Sequence, residues 1–261
     1  MDIVSITIQY EGQSIFVQKW SSDAWDKTPI ILLHESLGCV ALWRDFPAQL
    51  AQLCQRDVIA YDRLGFGQSS ALSSLDLNFI VNEAQTAFAQ VIKYFALDQF
   101  IVMGHSVGGA MSAVISSSYP EQCQAVITMA SQAMIEEQTL NGIREAEAEY
   151  DNEIFLKKLA KYHGDKAKWV LRVWIDTWLS PKFRHWAIDD YISKNQRPLL
   201  VLHGENDQYG SLLQPERFYQ LSRGAKVLKV IKDCGHFPHI EKQTDVINAV
   251  HAFLEEYLAR S

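Results

Sequence analysis

Cysteine is scarce in this chain and scattered. Cys39, Cys54, Cys123 and Cys234 stand far apart, with no C-x-x-C pair among them. No export signal is expected either. "MDIVSITIQYEG" carries an acid at position 2 and alternates like a strand, where a signal peptide would have a basic stretch and then an apolar run. The four cysteines are therefore expected to be reduced, mostly buried thiols of a cytoplasmic protein. No apolar run approaches the ~20 residues that a helix needs to cross a bilayer, so no membrane association is expected. Positive charge is in deficit, with 24 Lys and Arg against 31 Asp and Glu and a net charge of −7. That balance removes the attraction on which binding to nucleic acid or an anionic membrane depends. Internal repeats and low-complexity tracts are absent too.

What the chain does have is the composition of a soluble globular protein, 48% hydrophobic and 21% charged over 261 residues. Period-2 stretches at 5–10 and 14–20, split by Glu11-Gly12-Gln13, predict an antiparallel hairpin. Six further strands are expected at "PIILLHE" (29–35), "DVIAYD" (57–62), "FIVMG" (100–104), "AVITMA" (125–130), "PLLVLHG" (198–204) and "AKVLKVI" (225–231). Most of these are continuous apolar runs, as in strands covered on both faces. Apolar residues at helical spacing over 77–95 and 246–257 fill gaps between them. The alternation implies an α/β fold: a mostly parallel eight-stranded sheet with helices on both faces and an antiparallel hairpin at its amino-terminal edge.

One segment breaks the rhythm. Residues 131–195 show no strand signal and hold four of the seven tryptophans, Trp169, Trp174, Trp178 and Trp186. Their length exceeds a normal connection. They are expected to form an inserted helical cap on a core of residues 1–130 and 196–261. Trp169, Trp174 and Trp178 of the cap, with Phe237 of the core, are candidates for the wall of a substrate pocket.

The sharpest local feature is "FIVMGHSVGGAMSAVISSS" (100–118), where a buried strand turns into a small-residue helix through Gly104-His105-Ser106-Val107-Gly108. Glycines on both sides let a nucleophile occupy a strained turn above the sheet edge. The helix beneath offers free N–H groups to a developing oxyanion. The pattern G-x-S-x-G alone arises by chance in roughly one chain in ten of this length, so the partners of Ser106 matter more. A serine needs a base, and the base needs an orienting acid. Asp207, or Glu205 beside it, follows the strand at 198–204, and His236 follows the strand at 225–231. His236-Phe237-Pro238-His239 near Cys234 lacks a second His/Cys cluster, so no metal is expected. His34, His105 and His203 end strands and read as structural. Asp62 and Arg63 are expected to tie down their own loop, and His163 is a candidate for touching substrate.

With these residues in place, the chain resembles the α/β-hydrolase fold superfamily over essentially its full length. The resemblance rests on His34-Glu35-Ser36-Leu37-Gly38, on "YDRLGFGQS" (61–69), on the Gly104–Gly108 elbow, on Gly204–Asp207 and on Gly235-His236. It implies Ser106 as nucleophile, His236 as general base and then acid, Asp207 as its orienter, and the N–H groups of Val107 and Ser36 as oxyanion hole. No cofactor is implied. The alternative acid position of the fold holds Ser131 and Gln132, neither of which can serve. Glu35 departs from the H-G-x-x-G pattern of many relatives. A carboxylate facing the oxyanion would oppose it, so Glu35 is expected to point away.

The function expected is a serine hydrolase that cleaves an ester, thioester or lactone of a small, largely apolar acid through an acyl-enzyme. The same triad also supports C–C bond hydrolysis, hydroxynitrile cleavage or cofactor-free peroxidation. A third possibility is a non-catalytic receptor for a small molecule.

Overall fold

The expected hairpin forms one edge of the sheet. Strands β1 (Asp2–Tyr10) and β2 (Gln13–Ser21) pair antiparallel around Glu11 and Gly12, whose φ values of 48° and 78° let a two-residue turn follow the twist of its strands. Six strands follow: β3 (Lys27–Leu33), β4 (Arg56–Tyr61), β5 (Phe100–His105), β6 (Cys123–Met129), β7 (Leu199–Gly204) and β8 (Lys226–Ile231). In this computed structural model, which describes residues 1–150 and 152–258, the spatial order is β1-β2-β4-β3-β5-β6-β7-β8. β2 runs antiparallel to β4, and every neighbouring pair from β4 to β8 is parallel.

The helices are α1 (Phe46–Cys54), α2 (Phe79–Asn82), α3 (Ala87–Tyr94), α4 (Val107–Ser118), α5 (Glu137–Tyr150), α6 (Glu153–His163), α7 (Ala167–Trp178), α8 (Asp189–Ile192), α9 (Leu213–Leu221), α10 (Pro238–Glu241) and α11 (Gln243–Leu258). Alternation along the strands divides the core into two layers. Ile31, Leu33 and Val102 face one way, onto Phe88 of α3 and Met111 of α4. Ile30, Leu32, Ile101 and Met103 face the other, onto Phe46 and Leu50 of α1 and Val250 and Phe253 of α11. The four cysteines are free and buried, and burial lifts the thiols of Cys39, Cys54 and Cys123 to about 12, which keeps them protonated. Among the described residues, no helix is long and apolar enough to cross a membrane.

Two local readings need correction. The stretch expected as one helix over 77–95 is broken into α2, a 3₁₀ turn at Glu83–Gln85 and α3. At the break, the Thr86 hydroxyl donates to the Asn82 carbonyl, and Thr86 takes φ −103° and ψ −109°, outside the helical region. Glu83 is pulled inward, accepting the Tyr61 hydroxyl at 2.8 Å. The segment between β6 and β7 is also not purely helical. An antiparallel bridge, Met134 to Ala187, closes the neck of the segment that holds α5 to α7.

The order of strands decides where a site can lie. From β3 the chain crosses to β4 on one side, then returns past β3 to β5 on the other. The loops leaving β3 and β5 therefore diverge and open a crevice at the carboxyl ends of these strands. Residues 34–38 leave β3 there, and Ser106 follows β5 directly.

Candidate active site

Ser106 stands at the crevice because its backbone is forced into φ 55°, ψ −122°, a conformation that L-residues avoid. The turn closes because two glycines leave room. A Cβ on Gly104 would lie 2.0 Å from the Gly108 carbonyl oxygen, and one on Gly108 would lie 2.1 Å from that of Leu33. Helix α4 thus rests directly on the sheet. The Ser106 N–H donates to the Met129 carbonyl at 2.8 Å, which fixes the turn against β6. Val107 is the first residue of α4, so its N–H is among those a helix leaves without an internal partner.

His236 arrives from the loop after β8. That loop is held by Glu241 of α10, which accepts from the Gly235 and Phe237 N–H groups at 2.7 and 3.0 Å. His105 adds a third tie, its Nε2–H donating to the His236 carbonyl at 2.6 Å. Asp207 lies just beyond β7, where its Oδ1 accepts the Tyr209 N–H at 2.8 Å. The three side chains meet. His236 Nε2 is 3.0 Å from Ser106 Oγ, and His236 Nδ1 donates to both carboxylate oxygens of Asp207 at 2.9 Å. All three residues are at most 6% exposed. Burial alone would raise the Asp207 carboxyl, but the charge and hydrogen bond of His236, with His203 and the Tyr209 N–H, hold it below the usual range. An ionised Asp207 fixes the tautomer in which Nε2 is a bare acceptor, the form able to take a proton from Ser106.

Of the two acids beside β7, Asp207 reaches the histidine. Glu205 is exposed, and its carboxylate accepts the Asp233 N–H at 3.3 Å. Ser36, Trp174, Trp178 and Phe237 border the same cavity of about 70 Å³ as Ser106. Trp169 does not. Its ring packs on the Gly65–Phe66 turn, with its centroid 5.7 Å from that of Phe66. Trp169 and Trp174 are five residues apart on α7, and at 100° per residue that turns them to different faces.

His163, a candidate for touching substrate, is instead a bolt. Its Nδ1 accepts the Gly67 N–H and its Nε2–H donates to the Leu37 carbonyl, both at 2.9 Å. Asp62 and Arg63 hold their own neighbourhood: Asp62 accepts the Val40 and Gln68 N–H groups at 2.6 Å, and Arg63 donates to the Glu35 carbonyl at 3.0 Å. His34 and His203 are likewise tied to backbone, donating to Glu35 and Gly210 carbonyls at 2.8 and 3.0 Å.

Glu35 does not point clear of the site. Its carboxylate folds back to accept the Leu37 N–H, yet it borders the Ser106 cavity. Burial raises its carboxyl above the usual range, with the Leu37 N–H and His236 pulling the other way. In its neutral form such a group exerts no net charge on an oxyanion. Gln132 carries no acid, yet its Oε1 lies 3.1 Å from Ser106 Oγ, a contact that its place in the sequence does not foretell. Tyr209, whose ring packs edge-on against His236 at 4.8 Å, carried no sequence signal.

Burial also makes the site acid-sensitive. It lowers His163 to about 4 and His239 to about 3, so in the unfolded chain these histidines take up protons that the folded chain refuses. Their contribution to stability is complete above about pH 6.5 and is lost as pH falls toward 4. For His163 alone, the loss between pH 7.5 and 5 is about 2 kcal/mol. Urea unfolding at those two pH values measures it, and His163→Gln, which does not titrate, is expected to show a shallower fall.

A family model described as alpha/beta hydrolase fold matches residues 28–243. The chain belongs to that family. Among curated proteins, human 1-acylglycerol-3-phosphate O-acyltransferase ABHD5 is 34% identical over 121 residues, 44% of this chain and 33% of that protein, so the chain spans about a third of that relative's length. The 2-hydroxy-6-oxo-2,4-heptadienoate hydrolase of Pseudomonas putida is 25% identical over 248 residues, covering 87% of this chain and 88% of the relative. Among solved structures, a membrane phospholipase A described as a bacterial virulence factor superposes with a TM-score of 0.78 at 18% identity, over 98% of this chain and 86% of that one. At that identity the likeness is one of fold.

Proposed function

We propose that this hydrolase-family protein cleaves an ester, thioester or lactone of a small, largely apolar acid through an acyl-enzyme. The observation that carries the reading is the hydrogen-bonded chain from Ser106 Oγ through His236 to Asp207, at 3.0 and 2.9 Å, with Ser106 on a strained turn beside a helix amino terminus. Ser106 Oγ attacks the carbonyl carbon as His236 Nε2 takes its proton. The N–H groups of Val107 and Ser36 receive the oxyanion. Collapse breaks the bond to the leaving group, which departs with the proton from His236. Water, deprotonated by the same nitrogen, attacks the acyl carbonyl. The acid then leaves and Ser106 regains its proton. Gln132 Oε1 offers the Ser106 hydroxyl a second acceptor in the resting state. Residues 131–195 serve as a helical cap over a core of 1–130 and 196–261, presenting Trp174 and Trp178 to the substrate opposite Phe237.

Mixing with a p-nitrophenyl ester in stopped flow tests this. A burst of about one nitrophenolate per protein, before a slower steady state, is expected from an acyl-enzyme. A second reading, C–C bond hydrolysis, is favoured by the Pseudomonas putida relative, which matches over nearly the whole of both chains. Loss of the chromophore of a 2-hydroxy-6-oxo-2,4-dienoate, with no turnover across an ester panel, would replace the ester reading by that one.

A further inference from the structure

A second chamber lies behind the turn that carries Ser36. At about 220 Å³ it is about three times the cavity at Ser106. Three residues, Glu35, Leu37 and Phe237, border both spaces and stand between them. The far wall is α6, through Phe155 and Leu159, and the floor includes Cys39 and Trp43. Three histidines also line it, but burial holds His34 and His105 well below their usual range and His239 at about 3, so all are neutral at pH 7. The interior therefore offers no cation to a polar or anionic group. Charge sits at the mouth, where Lys158, Tyr162 and Ile240 are exposed.

The outer wall is fastened to the partition. His163, the last residue of α6, donates to the Leu37 carbonyl at 2.9 Å and accepts the Gly67 N–H at the same distance. Phe237 is pinned from the other side by its N–H to Glu241 at 3.0 Å. An apolar chamber that meets the cavity of a nucleophile at Glu35, Leu37 and Phe237 is suited to a chain that passes between these side chains.

We propose that this chamber binds an aliphatic or aryl chain of the substrate, attached on the alcohol side of the carbonyl that Ser106 attacks, with the Ser106 cavity holding the small acyl group. The proposal rests on the hydrolase reading and assigns its substrate class: an ester with one short arm and one extended apolar arm.

Two series of p-nitrophenyl or alkyl esters test it, one lengthening the acyl chain from two carbons to ten and the other lengthening the alkoxy chain of an acetate. In the alkoxy series kcat/KM should rise about fourfold per methylene until the chamber is full, and a gain confined to the acyl series overturns the assignment. Leu159→Trp, which fills the chamber, should collapse the ratio between longest and shortest ester to near one. Leu42→Trp, at a half-buried position of the same lining, guards against a folding defect at Leu159. A second readout needs no chemistry: saturable binding of 1-decanol to Ser106→Ala by calorimetry, weakened at least about tenfold when Leu159→Trp is added. Turnover of the acetyl ester without a gain in either series, or a gain that survives both tryptophans, overturns the chamber and leaves the hydrolase. Decanol binding that is lost in Leu159→Trp, with no ester turned over, supports the chamber and overturns the ester-cleaving reading. Absence of saturable binding overturns the chamber.

Discussion

Ser106→Ala should lower turnover of an activated aryl ester by at least about 10⁴-fold while leaving the free energy of unfolding within about 1 kcal/mol of the original. The activity loss follows because the variant lacks Ser106 Oγ, the hydroxyl 3.0 Å from His236 Nε2 in the bordered cavity. The stability change is small because alanine keeps the backbone turn, whose N–H to Met129 and tight glycines do not involve the hydroxyl. Asp207→Asn should cost a similar factor by a different route. An asparagine can present its N–H to His236 Nδ1, turning Nδ1 into an acceptor and putting the proton on Nε2, where it blocks the transfer from Ser106. The pair of variants separates roles: both should retain fold and substrate affinity, and neither should show the burst.

Gly108→Ala should cost about 3–5 kcal/mol, a large share of the ordinary 5–15 kcal/mol of a folded domain, and abolish activity with it. The new methyl would lie 2.1 Å from the Leu33 carbonyl oxygen and 2.9 Å from that of His34. These are backbone atoms of β3 and the turn after it, so no rotamer change relieves the contact. Helix α4 must lift off the sheet, carrying Val107 and Ser106 away from His236. Gly164→Ala provides the contrast. Gly164 has φ 58° but nothing within 4 Å of its Cβ direction, so only backbone strain of about 1–2 kcal/mol is expected there. Urea midpoints for the two variants, beside the wild type, measure the difference between strain and collision.

Much of this was legible before any coordinates. Strands β5 and β7 are buried along their whole length, and runs such as "FIVM" and "LLVL" announce that directly. Ser106, Asp207 and His236 each follow a strand, so their meeting at one sheet edge follows from parallel topology alone. What was not legible depends on side-chain direction. Trp169 and Trp174 look equivalent in composition, but helical rotation sends one to the Gly65 turn and the other to Ser106. The break at Thr86 was hidden because the apolar spacing of 77–95 continues through it, while Glu83 answers to Tyr61 across the fold. Glu35 invites a reading by charge alone, whereas the Leu37 N–H two residues on sets its pose and burial raises its carboxyl. Gln132 has no titratable group to draw notice in the sequence, and its contact with Ser106 arises from the chain's path after β6.

The account depends above all on an activated Ser106. Incubation of the folded protein with a fluorophosphonate, followed by intact-mass and peptide analysis, tests that directly. One adduct is expected, on Ser106 within the peptide spanning residues 100–118, absent from Ser106→Ala and formed far more slowly in His236→Ala. A folded protein that stays unmodified, or that is modified equally well at another residue after Ser106 is replaced, would contradict it.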